Sequence, residues 1–398
     1  MDDREVLMEQ RPAPRPTPVR TGWAARLRRR PGVRWCWGTR LVVTASLGWL
    51  LFVLVHRPLS GRLVLWAPVD LIPPLLFAVI PLVLLAVAPF ARPVRWRIMA
   101  VLVVAALLGY GNSGVNLATL WHTPPPAPQG AITVVAWNTE FWDQDWASGG
   151  GVDPDPHYRY LRDLDADVYL LQEYLHLDAS ATDKDDEAVR IDATARLRAE
   201  FPDHQIAVAG EQITLSRLPI VAQTGLDIRP WLPESRKDIP SGLDDFQDSY
   251  TTETLRTDLL LGGQTVSFYN THIHQPPHSF AIHRRAGRQA NRENDYRRQA
   301  SYRALRADID DNPNSVVVGA DLNTSPAMGI SRLLPDGLVD HTGTLPDLYP
   351  ASWAAGETPL WRVDWLLTSP DVSVHAYQLR DPAGLSDHRA QWSVLSVE

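Results

Sequence analysis

The sequence predicts an α/β domain set behind an α-helical membrane segment, and three observations carry that prediction. Three apolar runs occupy the first 121 residues, two of them long enough to cross a bilayer. Beyond residue 131, strand-like apolar stretches alternate with helical patterns, as in proteins that layer helices over sheets. Several of those stretches end on short polar motifs, and polar side chains at strand ends are how α/β proteins build their sites.

Residues 1–37 form an arm rich in Pro and Arg, with too little apolar surface to fold alone. Residues 38–121 carry the runs Leu41–Val55, Leu71–Phe90 and Ile98–Trp121. A helix needs about 20 apolar residues to span the hydrocarbon core. The second and third runs meet that length, and Trp35, Trp37 and Gly38 extend the shorter first run into the interface. Pro73, Pro74 and Pro81 interrupt the second run, which membrane helices tolerate because neighbours re-satisfy the freed carbonyls. A signal peptide has a single apolar region, so the pattern predicts three spans.

Arginine placement orients the spans. Arg26, Arg28, Arg29, Arg30, Arg34 and Arg40 precede or open the first run; Arg92, Arg95 and Arg97 join the second to the third. The first connection has only Arg57 and Arg62. By the positive-inside rule the N-terminus is cytoplasmic, and an odd number of spans puts everything after Trp121 outside. The expectation is a multi-pass protein of the cell membrane with an extracytoplasmic domain. No charged residue falls in the middle of a run to mark a transport pathway.

Residues 122–130 include Pro124, Pro125, Pro126 and Pro128, a polyproline spacer between segment and domain. Cys36 is the sole cysteine, so no internal disulfide forms, and the 131–398 domain depends on its own core. Lysine occurs only at Lys184 and Lys237 while Arg, Ala, Pro and Trp abound, the bias of a GC-rich genome such as an actinobacterial one. Residues 1–130 hold 15 Arg and 5 acids; the chain totals of 38 and 46 then leave 23 bases and 41 acids beyond them. Nucleic-acid binders carry a basic footprint, and this domain has none overall. The exception is His283–Arg306, with eight arginines, which reads as a helix burying Ala300, Leu305 and Ile309. A solvated helix face is the favoured reading of those arginines, a phosphate contact the other.

Within the domain, Ile132–Ala136, Val168–Leu171, Val266–Tyr269, Val316–Val318 and Val363–Leu367 read as strands. Thr257–Leu261 and Thr265–Tyr269 flank Gly262-Gly263 as a hairpin. Arg159–Leu164 and Ala188–Glu200 read as amphipathic helices, and Trp231–Tyr250 as an inserted loop.

Six polar motifs punctuate these elements: Trp137-Asn138, Leu171-Gln172-Glu173, Asn270-Thr271-His272, Asp321-Leu322-Asn323, Arg362-Val363-Asp364-Trp365 and Ser386-Asp387-His388. Hard oxygen donors with two imidazoles suit Mg²⁺ or Mn²⁺ and phosphate-ester cleavage. Glu173 stands out, because a lone carboxylate after an apolar strand is costly to bury without a role. Singly, each is as well explained by structure: His272 as a core histidine, Asn323 as a cap, Asp364 as a partner of Arg362.

As an ordered set, the six motifs resemble the endonuclease/exonuclease/phosphatase superfamily over about Ala131–Glu398. Ser216-Arg217-Leu218-Pro219-Ile220 adds a seventh match, with Arg217 read as pinning a loop. The family usually reads Gly-Asp-x-Asn where this chain has Gly319-Ala320-Asp321-Leu322-Asn323. The resemblance implies a four-layer α/β sandwich, two packed mixed β-sheets flanked by helices. It also implies Glu173, Asn138 and Asp387 as metal ligands and Asp364 with His388 as the base pair. Asp321 would orient the attacking water, while Asn323 and His272 would contact the substrate phosphate. The function expected is a membrane-anchored metal-dependent phosphoester hydrolase, with a lipid-linked or cell-envelope phosphate as substrate. A surface nuclease is the second reading and a non-catalytic receptor the third.

Overall fold

The computed structural model describes residues 35–142, 153–177, 188–239, 246–278, 283–356 and 358–397. Most of the basic arm, residues 1–34, lies outside that description. The helical segment consists of α1 (Trp37–Leu59), a short turn α2 (Ala67–Asp70), α3 (Leu76–Val87) and α4 (Arg95–Gly109). Among the described residues only α1 is long and apolar enough to cross a membrane. Its 23 residues reach about 35 Å at 1.5 Å per residue.

This corrects the expectation of three full spans and reverses which run is longest. Pro73 and Pro74 delay the start of α3, leaving 12 residues before a 3-10 turn ends at Phe90. After Gly109 the third run breaks at Tyr110–Asn112, and Gly114 takes φ +69°. Leu117–Leu120 is a 3-10 turn docked on the domain, where Asn116 Nδ2 donates to the Leu345 and Asp347 carbonyls at 3.0 and 3.2 Å. A hydropathy window counts apolar residues without registering where the backbone turns.

The three longer helices pack with α3 antiparallel to the others. Val42 near the start of α1 clusters with Ala88, Ala91, Ile98 and Leu102, while Val53 near its end clusters with Phe77. Their outer surfaces expose Leu41, Leu51, Leu82 and Leu107 at 60% or more.

The domain contains two six-stranded mixed sheets. The first holds β1 (Ile132–Asn138), β2 (Val168–Gln172), β5 (Gln205–Ala209), β6 (Gln212–Ser216), β15 (Val372–Arg380) and β16 (Ala390–Val397), in the order β15-β16-β1-β2-β6-β5. The second holds β7 (Ile220–Asp227), β8 (Thr252–Leu261), β9 (Gln264–His272), β10 (Ser315–Asp321), β11 (Val339–Asp340) and β14 (Asp364–Thr368), in the order β11-β14-β10-β9-β8-β7. Two ribbons hold the remaining strands among the described residues, β3 (His176–Leu177) with β4 (Ala188–Val189) and β12 (Trp353–Ala354) with β13 (Pro359–Trp361). The expected Gly262-Gly263 hairpin joins β8 to β9, with both glycines at positive φ.

Alternation along each strand separates the layers. Val134, Ala136, Val168, Leu170, Phe268, Val317 and Leu366 face the space between the sheets. Val135, Trp137 and Leu171 face outward onto Tyr158 and Leu161 of α5 (Asp155–Leu164) and Leu197 of α6 (Thr194–Glu200). Val316 and Val318 face Tyr302, Leu305 and Ile309 of α8 (Arg285–Asp311). Four layers result, as expected. The sheets approach so closely at Gly319 that a Cβ there would lie 2.7 Å from both Ala136 Cβ and Leu170 Cδ1. Ala188–Glu200 is not one helix: Ala188–Val189 pairs as a strand, and only Thr194–Glu200 is helical. The Trp231–Tyr250 insertion follows the 3-10 turn Arg229–Trp231, carries a second at Glu234–Arg236 and leads into α7 (Gln247–Thr251), with residues 240–245 outside the description.

Candidate active site

The parity that places valines between the sheets also places the site. Two residues beyond Ala136 comes Asn138; two beyond Gly319 comes Asp321; two before Leu366 stands Asp364. Asp321 is in register with His272 on one side and Asp364 on the other, so three adjacent strands present these groups side by side. Asn138 faces them from the first sheet. Its Nδ2 donates to Glu173 Oε1 at 2.9 Å and Asp321 Oδ2 at 3.1 Å.

Each motif's neighbours explain its spelling. Trp137 Nε1 donates to the His388 carbonyl at 3.0 Å, and Ser386 Oγ donates to the Asn138 carbonyl at 2.8 Å. Together they clamp the Ser386-Asp387-His388 loop onto the end of β1. Gln172 Nε2 donates to Asn270 Oδ1 across the sheet gap at 2.7 Å, and Asn270 Nδ2 donates to the Leu171 and Ile213 carbonyls, so the buried Asn270 amide is satisfied. Glu173 adopts φ +59° directly after β2, and Asn323 takes φ +46° after β10. Left-handed backbone outside glycine is uncommon and concentrates at functional sites.

All eight expected site residues converge. His388 Nδ1 lies 3.2 and 3.1 Å from the two Asp364 oxygens, and its Nε2 lies 3.6 Å from Asp321 Oδ2. Burial opposes a charge on His388, but Asp364 and Asp321 outweigh it and raise the imidazole to about 10. Asn323 Nδ2 lies 3.2 Å from His272 Nε2, and Asn323 N donates to Asp321 Oδ1 at 2.8 Å. Asp387 Oδ2 accepts from Trp353 Nε1 at 2.7 Å.

Two details bear on the metal assignment. Asn138 Oδ1 accepts from the Glu140 N–H at 3.0 Å, so its amide bridges carboxylates instead of presenting an oxygen to a metal. The amide orientation follows from its neighbours, since Glu173 and Asp321 need donors and the Glu140 N–H needs an acceptor. Among the described residues, the tightest His/carboxylate group is Asp321, Asp364 and His388, with one ligand atom from each inside a 4.8 Å span. It differs from the expected Glu173, Asn138 and Asp387. Asp364 spends both oxygens on His388, which suits a hydrogen-bonded dyad.

Sequence reasoning missed Glu211, whose Oε1 lies 2.5 Å from His272 Nδ1. Burial opposes protonation of His272, yet Glu211, Asp321 and Glu173 hold it well above the ordinary imidazole value. The available signal was a charged residue abutting the apolar run of β6, the mirror of Glu173 following β2. Glu140 was missed too; its Oε2 accepts from Asp387 N at 2.9 Å. Arg217 does pin a loop, reaching Asp165 at 2.6 Å and Asp167 at 3.3 Å. Arg362 stacks on the Trp365 ring at 3.6 Å and does not pair with Asp364.

The donor set fits a hard divalent cation. Glu140, Glu173, Asp321 and Asp387 line one cleft, with Asp364 and Glu211 behind the two imidazoles. Six carboxylates outnumber two histidines even if both histidines are charged. Burial pushes Glu173 above the usual carboxylate range, His272 pulls it back, and Glu211 pushes it up again. Oxygen-rich, excess-negative surroundings of this kind are what a bound cation relieves.

Residues 158–388 match the family model for the endonuclease/exonuclease/phosphatase family. That match covers more than half of the chain, and the chain belongs to this family. At family level it is a phosphoester hydrolase. Similar solved structures include an endonuclease/exonuclease/phosphatase from Beutenbergia cavernae, at 17% identity and TM-score 0.46 over 68% of this chain and 72% of that one. Another, from Bacteroides vulgatus, has 15% identity and TM-score 0.45 over 67% and 99%. The human Nocturnin catalytic domain has 13% identity and TM-score 0.44 over 68% and 96%. No curated protein matches the chain.

Proposed function

We propose that the protein is a membrane-anchored, Mg²⁺- or Mn²⁺-dependent phosphoester hydrolase with an extracytoplasmic catalytic domain, acting on a lipid-linked phosphate. The observation that carries the substrate class is the make-up of the cleft, about 380 Å³ in volume. Its lining joins the carboxylates and imidazoles to apolar groups, Trp353, Trp361, Met328, Pro276 and Leu71. Leu71 belongs to the helical segment, and Trp361 Nε1 donates to its carbonyl at 3.3 Å. A phosphate in this cleft therefore has apolar lining beside it that includes a residue of the helical segment.

In this reading Glu173 and Asp387 hold the cation, braced by Asn138. When bound, that cation supplies Lewis-acid stabilisation of charge on the phosphate oxygens. His272, kept cationic by Glu211, donates to a phosphate oxygen together with Asn323. Asp321 orients the attacking water, and the Asp364–His388 pair controls the proton at Nε2 and completes the set of donors facing the developing charge.

Sidedness is supported by the end of α1 that meets the domain. His56 Nε2 lies 2.8 Å from the Ala327 carbonyl, and Ser60 Oγ accepts from Gly329 N at 2.6 Å. The other end of α1 adjoins the α3–α4 connection, where Thr39 Oγ1 donates to the Arg92 carbonyl at 3.2 Å. The start of α1 at Trp37 thus lies opposite the domain, and the positive-inside rule puts that end on the cytoplasmic side. Because α3 and α4 form a returning hairpin, one crossing or three leave the domain on the same side.

The arginine-rich helix gives a nuclease little support. Arg297 pairs with Glu253 at 2.8 Å, Arg306 with Asp310 and Asp336, and Arg298 is buried against Thr324. The test uses the full chain in detergent with Mg²⁺, comparing phosphate release from a polyprenyl pyrophosphate with plasmid nicking. Lipid-phosphate turnover that His388→Ala abolishes is expected. Nicking alone, equally abolished, makes the protein a nuclease.

A further inference from the structure

A second cleft, about 320 Å³ in volume, opens where α1, α4 and the domain meet. It shares no residue with the catalytic cleft. Arg57, Arg62 and Arg332 line it, with Val53, Leu54, Pro58 and Leu108 as its apolar part. We propose that this cleft binds the phosphate of an anionic phospholipid head group, seating the catalytic domain on the bilayer. The proposal rests on the membrane-anchored reading of α1.

The charge in the cleft is unbalanced. Among the described residues, none of the three arginines forms an ion pair. Arg332 donates to neutral partners, the main-chain carbonyls of Ser60 and, at 3.4 Å, Arg57. Partial burial and the charges of Arg62 and Arg57 push Arg332 below its ordinary value, with Asp70 pulling the other way. Asp70 acts on Arg332 without pairing with it and turns Oδ2 to the Gly61 N–H; three guanidiniums with no ion-paired carboxylate leave room for a polyanion, and guanidinium geometry suits phosphate oxygens.

Position selects a lipid over a free anion. Arg57 falls within the last turn of α1, so the cleft lies where the apolar helix surface ends. Leu54 and Leu108 are 52% and 40% exposed, directly below the arginines on the outward faces of α1 and α4. Acyl chains lie along such a surface while the head group meets the cations. Contact here also bears on catalysis. Arg332 sits in the 3-10 turn Gly329–Leu333 that Ser60 ties to α1, and Met328, just before it, lines the catalytic cleft.

The experiment is thermal unfolding of the full chain in neutral detergent micelles doped with phosphatidylglycerol or phosphatidylcholine. Arg57 and Arg62 are exposed and their side chains make no fold-holding contact in the described structure, so Arg57→Gln with Arg62→Gln is a mild variant. Phosphatidylglycerol should raise the midpoint by a few degrees over phosphatidylcholine, and the double variant should lose most of that rise. Arg92→Gln with Arg97→Gln, at the other end of the helices, should keep it. An equal rise in both double variants, or an equal rise from soluble glycerol phosphate, overturns the lipid site. A chain that remains in the aqueous fraction without detergent overturns the anchoring and the lipid site together. A membrane-bound chain with no phosphatidylglycerol-specific rise overturns the lipid site alone.

Discussion

Glu211→Gln isolates the charge behind His272. Gln keeps an oxygen at the same reach, so it can still accept the Nδ1–H and hold the ring; only the negative charge goes. With charge centres about 4 Å apart and an effective dielectric near 20, that charge is worth about 4 kcal/mol, roughly a thousandfold in the protonation equilibrium. Asp321 at 3.6 Å and Glu173 at 3.9 Å remain to favour the imidazolium, and burial opposes it. His272 should then titrate well below its wild-type value. The wild-type value is raised, so the stability from the pair is complete below about pH 6.5 and drains as pH climbs through the raised value. In the variant that contribution is lost at a lower pH than in the wild type. A charged donor to phosphate is worth about 1.5–3 kcal/mol, so turnover at pH 8 should fall about 10- to 150-fold and recover partly towards pH 6. Initial rates across pH 5.5–9, with a melting curve at each pH, make the measurement. Wild-type rates at pH 8 from a folded variant would refute the argument that Glu211 keeps His272 charged.

Three further outcomes follow from the packing of the sheets and the charge of the site. Gly319→Val should destabilise the domain by about 1–3 kcal/mol or more, because its Cβ would enter the space held by Ala136 and Leu170; urea unfolding reads this, and an unchanged midpoint contradicts the close sheet approach. Mg²⁺ should raise the melting temperature by relieving the carboxylate cluster, and Glu173→Gln should blunt that rise. Asn138→Ala should cost about 1–3 kcal/mol by removing the donor shared by Glu173 and Asp321. A melting temperature indifferent to Mg²⁺ and EDTA in the wild type would count against the metal site.

The sequence by itself determined the layers and most of the site. Continuous apolar runs mark the central strands, so Asn138, Asp321 and Asp364 were readable as polar groups at their ends; valines stand on both faces of β1 and β10, so which face carries the site was not. Their motif order then pointed to the family. What only the tertiary structure decided depends on contacts distant in the chain. Glu211 is 61 residues from His272, and nothing local marks the pair. The Asn138 amide turns its oxygen away from the carboxylates because the backbone at Glu140 claims it. Three apolar runs read as three spans, yet Pro73-Pro74 and the break after Gly109 shorten two of them, and the third run ends docked on the domain. Leu71 and the arginine cleft appear only once that segment folds against the domain. Periodicity records which way a side chain points within one element; which elements meet is set by packing, and that information is not local.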